Sequence, residues 1–372
     1  MPVAFNGTLR ANEIFGALYN MIISQQVFTD NIKGTSSKLV EHFRTDGTLY
    51  GDTKLYYATD ILTSHPWKND AEAENLLALD RPAAPKIQKI TLSNFRQIRL
   101  TTDNYLSKRA WSTEGAFSQF NSAMLGWINE TKRVYDSRLF NTYVGTTISE
   151  VGKQKQAVGI TAGTEGLTGE AKARVEAQLI AQKIADILAE VSDPNRDYND
   201  YGFMRSLDES DLMIVWNTKW INKITKLDLP TIFHKDGLIA KFGEYKLLPQ
   251  YFGVPVVAGK DITTAADSKY RSLTQQTVSL PDGGTKELFP GDLIPAGIKI
   301  ADATKVIIPS YLEKDDVICK IIHKNSIPFM SAFQTATDFF NPRSLTENHY
   351  LTWGYSDLDY LANYPFITVN AD

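Results

Sequence analysis

The chain has a single cysteine, Cys319. That excludes an internal disulfide framework and any zinc site built from clustered thiolates. Histidine is almost as scarce. His42, His65, His234, His323 and His349 are scattered, no two stand at helical metal-ligand spacing, and no H-E-x-x-H occurs, so each reads as a surface or packing residue. There is no G-x-S-x-G nucleophile elbow. No apolar run approaches the roughly 18 residues of a membrane span; patches such as Leu76–Leu79 and Val306–Ile308 are short. A basic excess is missing too: 39 lysines and arginines face 43 aspartates and glutamates, for a net charge of −4. That balance argues against a dedicated nucleic-acid binder. The opening MPVAFNGTLR lacks the basic start, apolar run and small-residue cleavage site of a secretory signal. The chain is therefore expected to be made and folded in a cytoplasm.

What is present is ordinary in bulk and informative in order. With 372 residues, 43% hydrophobic and 22% charged, the chain is expected to form two or three packed regions with a real core. Ile14, Leu18 and Ile22 share one face of a helix over 11–27. Candidate strands at Lys54–Leu62 and Ile87–Leu100 can pair as a long hairpin, separated by an acidic, alanine-rich stretch with Pro66, Pro82 and Pro85. Few residues of this hairpin look able to form a private core, so it is expected to be either mobile or covered by another chain. Phe117, Phe120, Met124, Trp127, Thr131, Tyr135 and Leu139 then step by three or four, and no proline interrupts from Ser112 to Thr147. This predicts a long spine helix capped at Ser112 or Thr113, with its aromatic stripe buried. A second amphipathic helix is expected over Glu170–Val191, stopped by Ser192-Asp193-Pro194. Buried strands are expected at Leu212–Val215, Val254–Val257, Val306–Pro309, Val317–Ile322 and Phe366–Val369, with a helix over Trp216–Ile224 and a turn at Pro281-Asp282-Gly283-Gly284. The class is α+β without regular βαβ alternation.

Groups that carry chemistry elsewhere have bland readings here. Cys319, in VICKII, reads as a small core residue. Gly163, Gly166 and Gly169 precede a helix, but Glu165 and Glu170 would repel phosphate, so a flexible connector is expected. Asp208-Glu209-Ser210-Asp211 and Asp315-Asp316 read as turn and cap residues. No catalytic, cofactor-binding or metal-binding residue is assigned. Tyr50, Tyr56, Tyr57 and Trp67 are hard to bury within one chain and are expected to be intersubunit anchors.

The order of segments resembles the major capsid protein of tailed bacteriophages, the Hong Kong 97-type shell fold. Three stretches carry the likeness: Ala177–Val191 (AQLIAQKIADILAEV), similar to the first helix of that family's axial domain; Asp211–Ile224 (DLMIVWNTKWINKI), similar to its strand, asparagine-containing turn and helix; and Tyr251–Gly259 (YFGVPVVAG), similar to its glycine–hydrophobic–proline–valine–valine strand. The tyrosine-rich Asn348–Val369 resembles the capsid proteins of small podoviruses.

The resemblance implies an N-terminal arm and helix (1–46), an extended loop over a neighbouring subunit (47–109), a peripheral domain with the spine helix (110–146 and 310–350) and an axial domain (147–309 and 351–372), with an inserted hairpin near 270–303. It implies a non-enzymatic, cofactor-free structural protein of the virion. Many copies would assemble as pentamers and hexamers into an icosahedral head around double-stranded DNA, with scaffolding, portal or decoration proteins as further partners and no membrane. Deleting 47–109 is then expected to leave a soluble chain that fails to assemble. An encapsulin-like nanocompartment shell, an unrecognised α+β enzyme and a ring-forming tail or portal structural protein are the alternatives. Some relatives crosslink a lysine to an asparagine of a neighbour; Lys54, Lys68 and Lys86 offer donors, though lysines on a solvated loop need no such role.

Overall fold

The computed structural model describes residues 38–48, 53–67, 81–103, 114–225 and 245–372. The expected helix over 11–27, the capping residues Ser112 and Thr113, Lys68, Tyr50 and His234 lie outside the described residues. Among the described residues the helices are α1 (Lys38–Phe43), α2 (Glu114–Thr146), α3 (Ile160–Gly163), α4 (Gly169–Ser192) and α5 (Thr218–Thr225).

Two five-stranded sheets organise the strands. The first has the order β1-β15-β16-β3-β2, from β1 (Arg44–Thr48), β2 (Thr53–Ala58), β3 (Lys86–Asp103), β15 (Phe329–Asn341) and β16 (Thr346–Ser356). The second has the order β4-β17-β14-β5-β6, from β4 (Lys155–Ala157), β5 (Leu212–Asn217), β6 (Tyr245–Leu247), β14 (Val317–His323) and β17 (Phe366–Asn370). Smaller sheets fill the stretch between β6 and β14: β7 (Gly253–Pro255), β13 (Ser310–Glu313) and β9 (Tyr270–Ser272); β8 (Ile262–Thr263) with β12 (Lys299–Ala301); and β10 (Gln276–Ser279) with β11 (Thr285–Leu288). The described residues belong to two compact units. One holds residues within Phe95–Val134 and Phe333–Gly354; the other holds those within Lys38–Asn94, Tyr135–Ala332 and Tyr355–Asp372.

In the larger unit, β5, β14 and β17 are buried along their whole length, which is why they read as continuous apolar runs rather than alternating ones. Helix α4 covers this sheet. Ala177, Ile180, Ile184, Ile187, Leu188 and Val191 recur at three- and four-residue steps and join Ile214, Trp216, Ile321, Ile367 and Val369 in one core. Each large aliphatic side chain fully buried there contributes about 1.5–3 kcal/mol. Cys319 lies in this core, where burial pushes its thiol well above the ordinary range. At the end of β5, Asn217 makes the turn into α5. Its Nδ2 donates to the Val317 carbonyl at 2.9 Å, and its Oδ1 accepts the Lys219 N–H at 3.1 Å.

The spine helix passes another segment closely at Gly145. A Cβ there would stand 2.1 Å from the Tyr251 carbonyl oxygen and 2.7 Å from its carbon. Backbone on both sides leaves no side chain to yield, so Gly145→Ala is expected to destabilise the subunit by about 3 kcal/mol or more, read by denaturant unfolding. A shift below about 1 kcal/mol would mean that the helix and the Tyr251 turn separate freely.

The turn at 281–284 forms as expected. Leu280 N–H donates to the Gly284 carbonyl at 2.8 Å, the Asp282 carboxylate accepts the Gly284 N–H at 3.0 Å, and Gly283 takes φ +84°. β10 and β11, with Ile294, Ile298 and Ile300, share a small core of their own.

Several expectations need correction. Val306–Pro309 is not a strand; the chain there makes one bridge, and the strand begins at Ser310. Val254–Val257 is not buried. β7 ends its sheet, and Val254 and Val257 are exposed. The expected strand to Leu62 stops at Ala58, and the helix expected from Trp216 begins at Thr218. The glycine-rich stretch contains the single-turn α3, and the Asp372 carboxylate accepts from both the N–H and the hydroxyl of Thr161 at its start. Asp208 is a cap as expected, accepting the Ser210 N–H at 2.7 Å. Asp315 is more than a turn residue: it pairs with Lys219 at 3.3 Å and Lys269 at 3.0 Å. Trp127 is only partly buried.

In the smaller unit, Leu351 and Trp353 are buried and polar contacts tie the strands to one another. Thr101 donates to Asn348 at 2.6 Å, Gln97 to Thr352 at 3.1 Å, and His349 Nδ1 lies 2.6 Å from Asp338. Phe339, Phe340 and Leu345, at the β15–β16 tip, are exposed.

Candidate intersubunit surface

The hairpin of β2 and β3 has two different faces. In the antiparallel register Leu55 stands opposite Lys89, Tyr56 opposite Gln88, Tyr57 opposite Ile87 and Lys54 opposite Ile90. Directly paired residues share a face. Ile90 and Leu92 therefore point inward, where they meet Met330, Ala332 and Leu361, with Tyr56 and Tyr364 packed against them. Burial raises the Tyr56 phenol above its ordinary range. The hairpin thus has no private core, as expected, but its inner face is covered by distant segments of the same chain. Periodicity shows the alternation; it does not show that the 357–364 segment lies beneath.

Side-chain hydrogen bonds fix that placement. Gln88 Nε2 donates to the Tyr360 carbonyl at 2.8 Å and to Asp359 at 3.1 Å, while its Oε1 accepts the Ala362 N–H at 2.9 Å. Ser93 and Asn94 donate to Asp357 at 2.6 and 2.8 Å. Removing 47–109 would delete β3, which lies between β16 and β2, together with these ties. The segment is therefore not a detachable loop.

The outward face carries Leu55, Tyr57 and Ile87, which are 49%, 62% and 56% exposed. Beyond β2 the chain adds Ile61, Leu62 and Trp67, at 59%, 75% and 87%. These six large apolar side chains, on one hairpin and its extension, are exposed within the described chain and make this the candidate intersubunit surface. Of the expected anchors, Tyr57 is on the outward face of β2 and Tyr56 on the inner one, while Trp67 is exposed beyond β2. Leu55, Ile87, Ile61 and Leu62 were not among the residues expected there. The alternation of Leu55 with Tyr57 was the available signal, but it gains meaning only with the register to β3.

The root of the extension is clamped. The Asp60 carboxylate accepts the Met204 N–H at 2.9 Å and pairs with Arg196, and Arg205 donates to the Thr59 carbonyl at 2.6 Å. The Met204 N–H and the Arg196 guanidinium hold the Asp60 carboxyl at about 2. Because its folded value lies below its unfolded one, the clamp is complete above the ordinary carboxylate range and is lost as pH falls from about 4 to about 2. Asp60→Asn is expected to speed proteolytic cleavage within 59–67 at neutral pH. An unchanged cleavage rate would show that the carboxylate holds nothing.

Between the hairpin and the segments below it lies a cavity of about 330 Å³, lined among others by Phe43, Tyr56, Tyr57, Leu361, Tyr364 and Lys324. His323, at its edge, stacks on Tyr364 with centroids 4.2 Å apart, and burial lowers its pKa. Among the described residues no group of histidine, cysteine and carboxylate side chains is placed to hold a metal ion. No described helix is long and apolar enough to cross a membrane.

A capsid structure of Staphylococcus phage Andhra superposes with a TM-score of 0.61 at 12% identity, over 93% of this chain and 87% of that one. A chain in the structure of the head fiber and inner core protein gp22 of native bacteriophage P68 superposes with a TM-score of 0.57 at 14% identity, over 89% and 84%. No match was found among curated proteins. The α+β fold, with its spine helix, long hairpin and α4-covered sheet, is the Hong Kong 97-type fold of phage capsid proteins. The family model of the Phi29-like phage major capsid protein matches residues 7–358, and the chain belongs to that family. It is a structural protein of the phage head, and its place is the virion. The family favours this role over a nanocompartment shell or an enzyme.

Proposed function

We propose that copies of this chain associate as pentamers and hexamers into a closed icosahedral head that encloses double-stranded DNA, assembled in the host cytoplasm. The outward face of the β2–β3 hairpin is one of its intersubunit surfaces. The observation that supports this most directly is the row of Leu55, Tyr57 and Ile87 continued by Ile61, Leu62 and Trp67, an apolar surface that the described part of its own chain leaves uncovered. Tyr50, Tyr56, Tyr57 and Trp67 remain the proposed anchors, with Tyr56 acting from the inner side. The proposed division is an arm (1–46), an extended loop (47–109), a peripheral domain (110–146 and 310–350) and an axial domain (147–309 and 351–372), with an inserted hairpin near 270–303.

Obligate interfaces of this kind bury more than about 2,000 Å² and are strongly apolar. A net charge of −4 keeps repulsion small among many copies and leaves the packaged DNA ungripped. Scaffolding, portal or decoration proteins are the further partners proposed for this role. Electron microscopy of the purified protein tests the reading: closed round particles are expected, and DNA in particles from infected cells. Monomers or open rings at all concentrations would overturn it.

A further inference from the structure

The cavity beside the hairpin and the exposed Trp67 are complementary. A cavity of 150 Å³ accepts benzene, so about 330 Å³ leaves room for an indole. Its lining residues are the kind an indole favours: Phe43, Leu361, Tyr56 and Tyr364, with Lys324 among them as a cation for a π-system. Trp67, 87% exposed, is the most exposed large hydrophobic side chain among the described residues. It is absent from the walls of its own copy's cavity.

Charge points the same way. Among the described lining residues there is a lysine and no carboxylate, whereas Trp67 is followed in sequence by Lys68 and then by Asp70, Glu72 and Glu74, a net acidic stretch. The cavity is also continuous with the proposed intersubunit surface, because Tyr57 belongs to both.

We propose that the cavity of one copy receives the Trp67 side chain of a neighbouring copy in the shell. This rests on the shell reading above and names the contact within it. In a shell this contact is heterologous, the donor side chain of one copy meeting the cavity of the next, so that it propagates from copy to copy.

The test uses assembled particles of the full chain. Trp67→Cys combined with Asn325→Cys, on the exposed rim beside Lys324, is expected to give disulfide-linked species at multiples of 41.7 kDa on a non-reducing gel after mild oxidation. Each single variant should stay at monomer mass, since native Cys319 is buried. Intact particles without such links, or links in the Trp67→Cys variant alone, would overturn the contact and leave the shell reading standing. Failure of the unaltered protein to form particles would instead overturn the shell reading. Benzoylphenylalanine at position 67 keeps the bulk and maps the contact by mass spectrometry. Adducts on Phe43–Thr45, Lys324–Pro328 or Tyr364 support it, and adducts confined elsewhere overturn it. Trp67→Ala should raise the concentration needed for assembly about tenfold or more, and Trp67→Phe by clearly less. Unchanged assembly of the alanine variant would also overturn it.

Discussion

Replacing Thr59–Pro85 by a two-residue Asn-Gly turn should give a folded, soluble subunit that forms no particles. The design follows from the register. Ala58 and Lys86 are the last paired residues of the β2–β3 ladder, and an Asn-Gly turn closes such a pair with the twist a hairpin needs. Ile90, Leu92, Gln88 and the strand pairing all remain, so the core beneath the hairpin is kept. What is lost is Ile61, Leu62 and Trp67, half of the outward apolar surface, and the clamp at Asp60. Circular dichroism and a cooperative melt should resemble those of the full chain, while sedimentation shows only small species. Normal particles from this variant would remove the extension from the assembly mechanism.

The second large effect concerns Lys320. This lysine is fully buried on β14, with Nζ 2.7 Å from the Thr147 carbonyl and 2.8 Å from the Thr368 hydroxyl, and 5.7 Å from the centre of the Phe366 ring. Thr147 directly follows the spine helix, whose own last turn carries no basic residue. The ammonium thus supplies from a distant strand the cation that the carbonyl end of a helix attracts. Burial nonetheless lowers its pKa to about 7.

The sign follows from proton counting. Between about pH 7 and 10.5 the unfolded chain holds a proton on Lys320 that the folded chain has released, so stability rises with pH across that window, by at most about 1.4 kcal/mol per unit. Above about pH 10 the tyrosines Tyr198, Tyr311 and Tyr360, raised by burial, act in the opposite direction. Lys320→Met should keep most of the packing and flatten the rise between pH 7 and 10. Lys320→Ala, which leaves a void as well, should cost about 2–5 kcal/mol. An unchanged pH profile in the methionine variant would mean that Lys320 keeps its proton throughout.

Much of this chain is legible in its residues. The three-and-four spacing of Ala177 to Val191 gives α4 and its buried face. The apolar runs around Ile214, Ile321 and Ile367 give the three fully buried strands, and Pro281-Asp282-Gly283-Gly284 gives its turn. Asn217 is recognisable as the hinge between strand and helix because an asparagine side chain can satisfy backbone groups on both sides. The order of these segments sufficed to suggest the shell fold.

The errors share one cause. Val254, Val257 and Val306–Pro309 look like buried strand by composition. β7 nevertheless ends its sheet, and pairing resumes only at Ser310, because exposure depends on which strands stand alongside. The inner side of the hairpin looked coreless because its partners, Met330 and Leu361, lie more than two hundred residues away. The long β15–β16 hairpin was not foreseen, and neither was Lys320 beneath the end of the spine helix.

The sequence by itself determined the helical and strand periods, the turns, the scarcity of cysteine and histidine, and the family-like order of segments. These are properties of neighbours along the chain, fixed by backbone geometry and side-chain type. Only the tertiary structure decided which side of the hairpin is core and which is left exposed. It also decided where a cavity opens and that a lysine lies buried. Burial is a property of pairs of distant segments, and no local period encodes the partner.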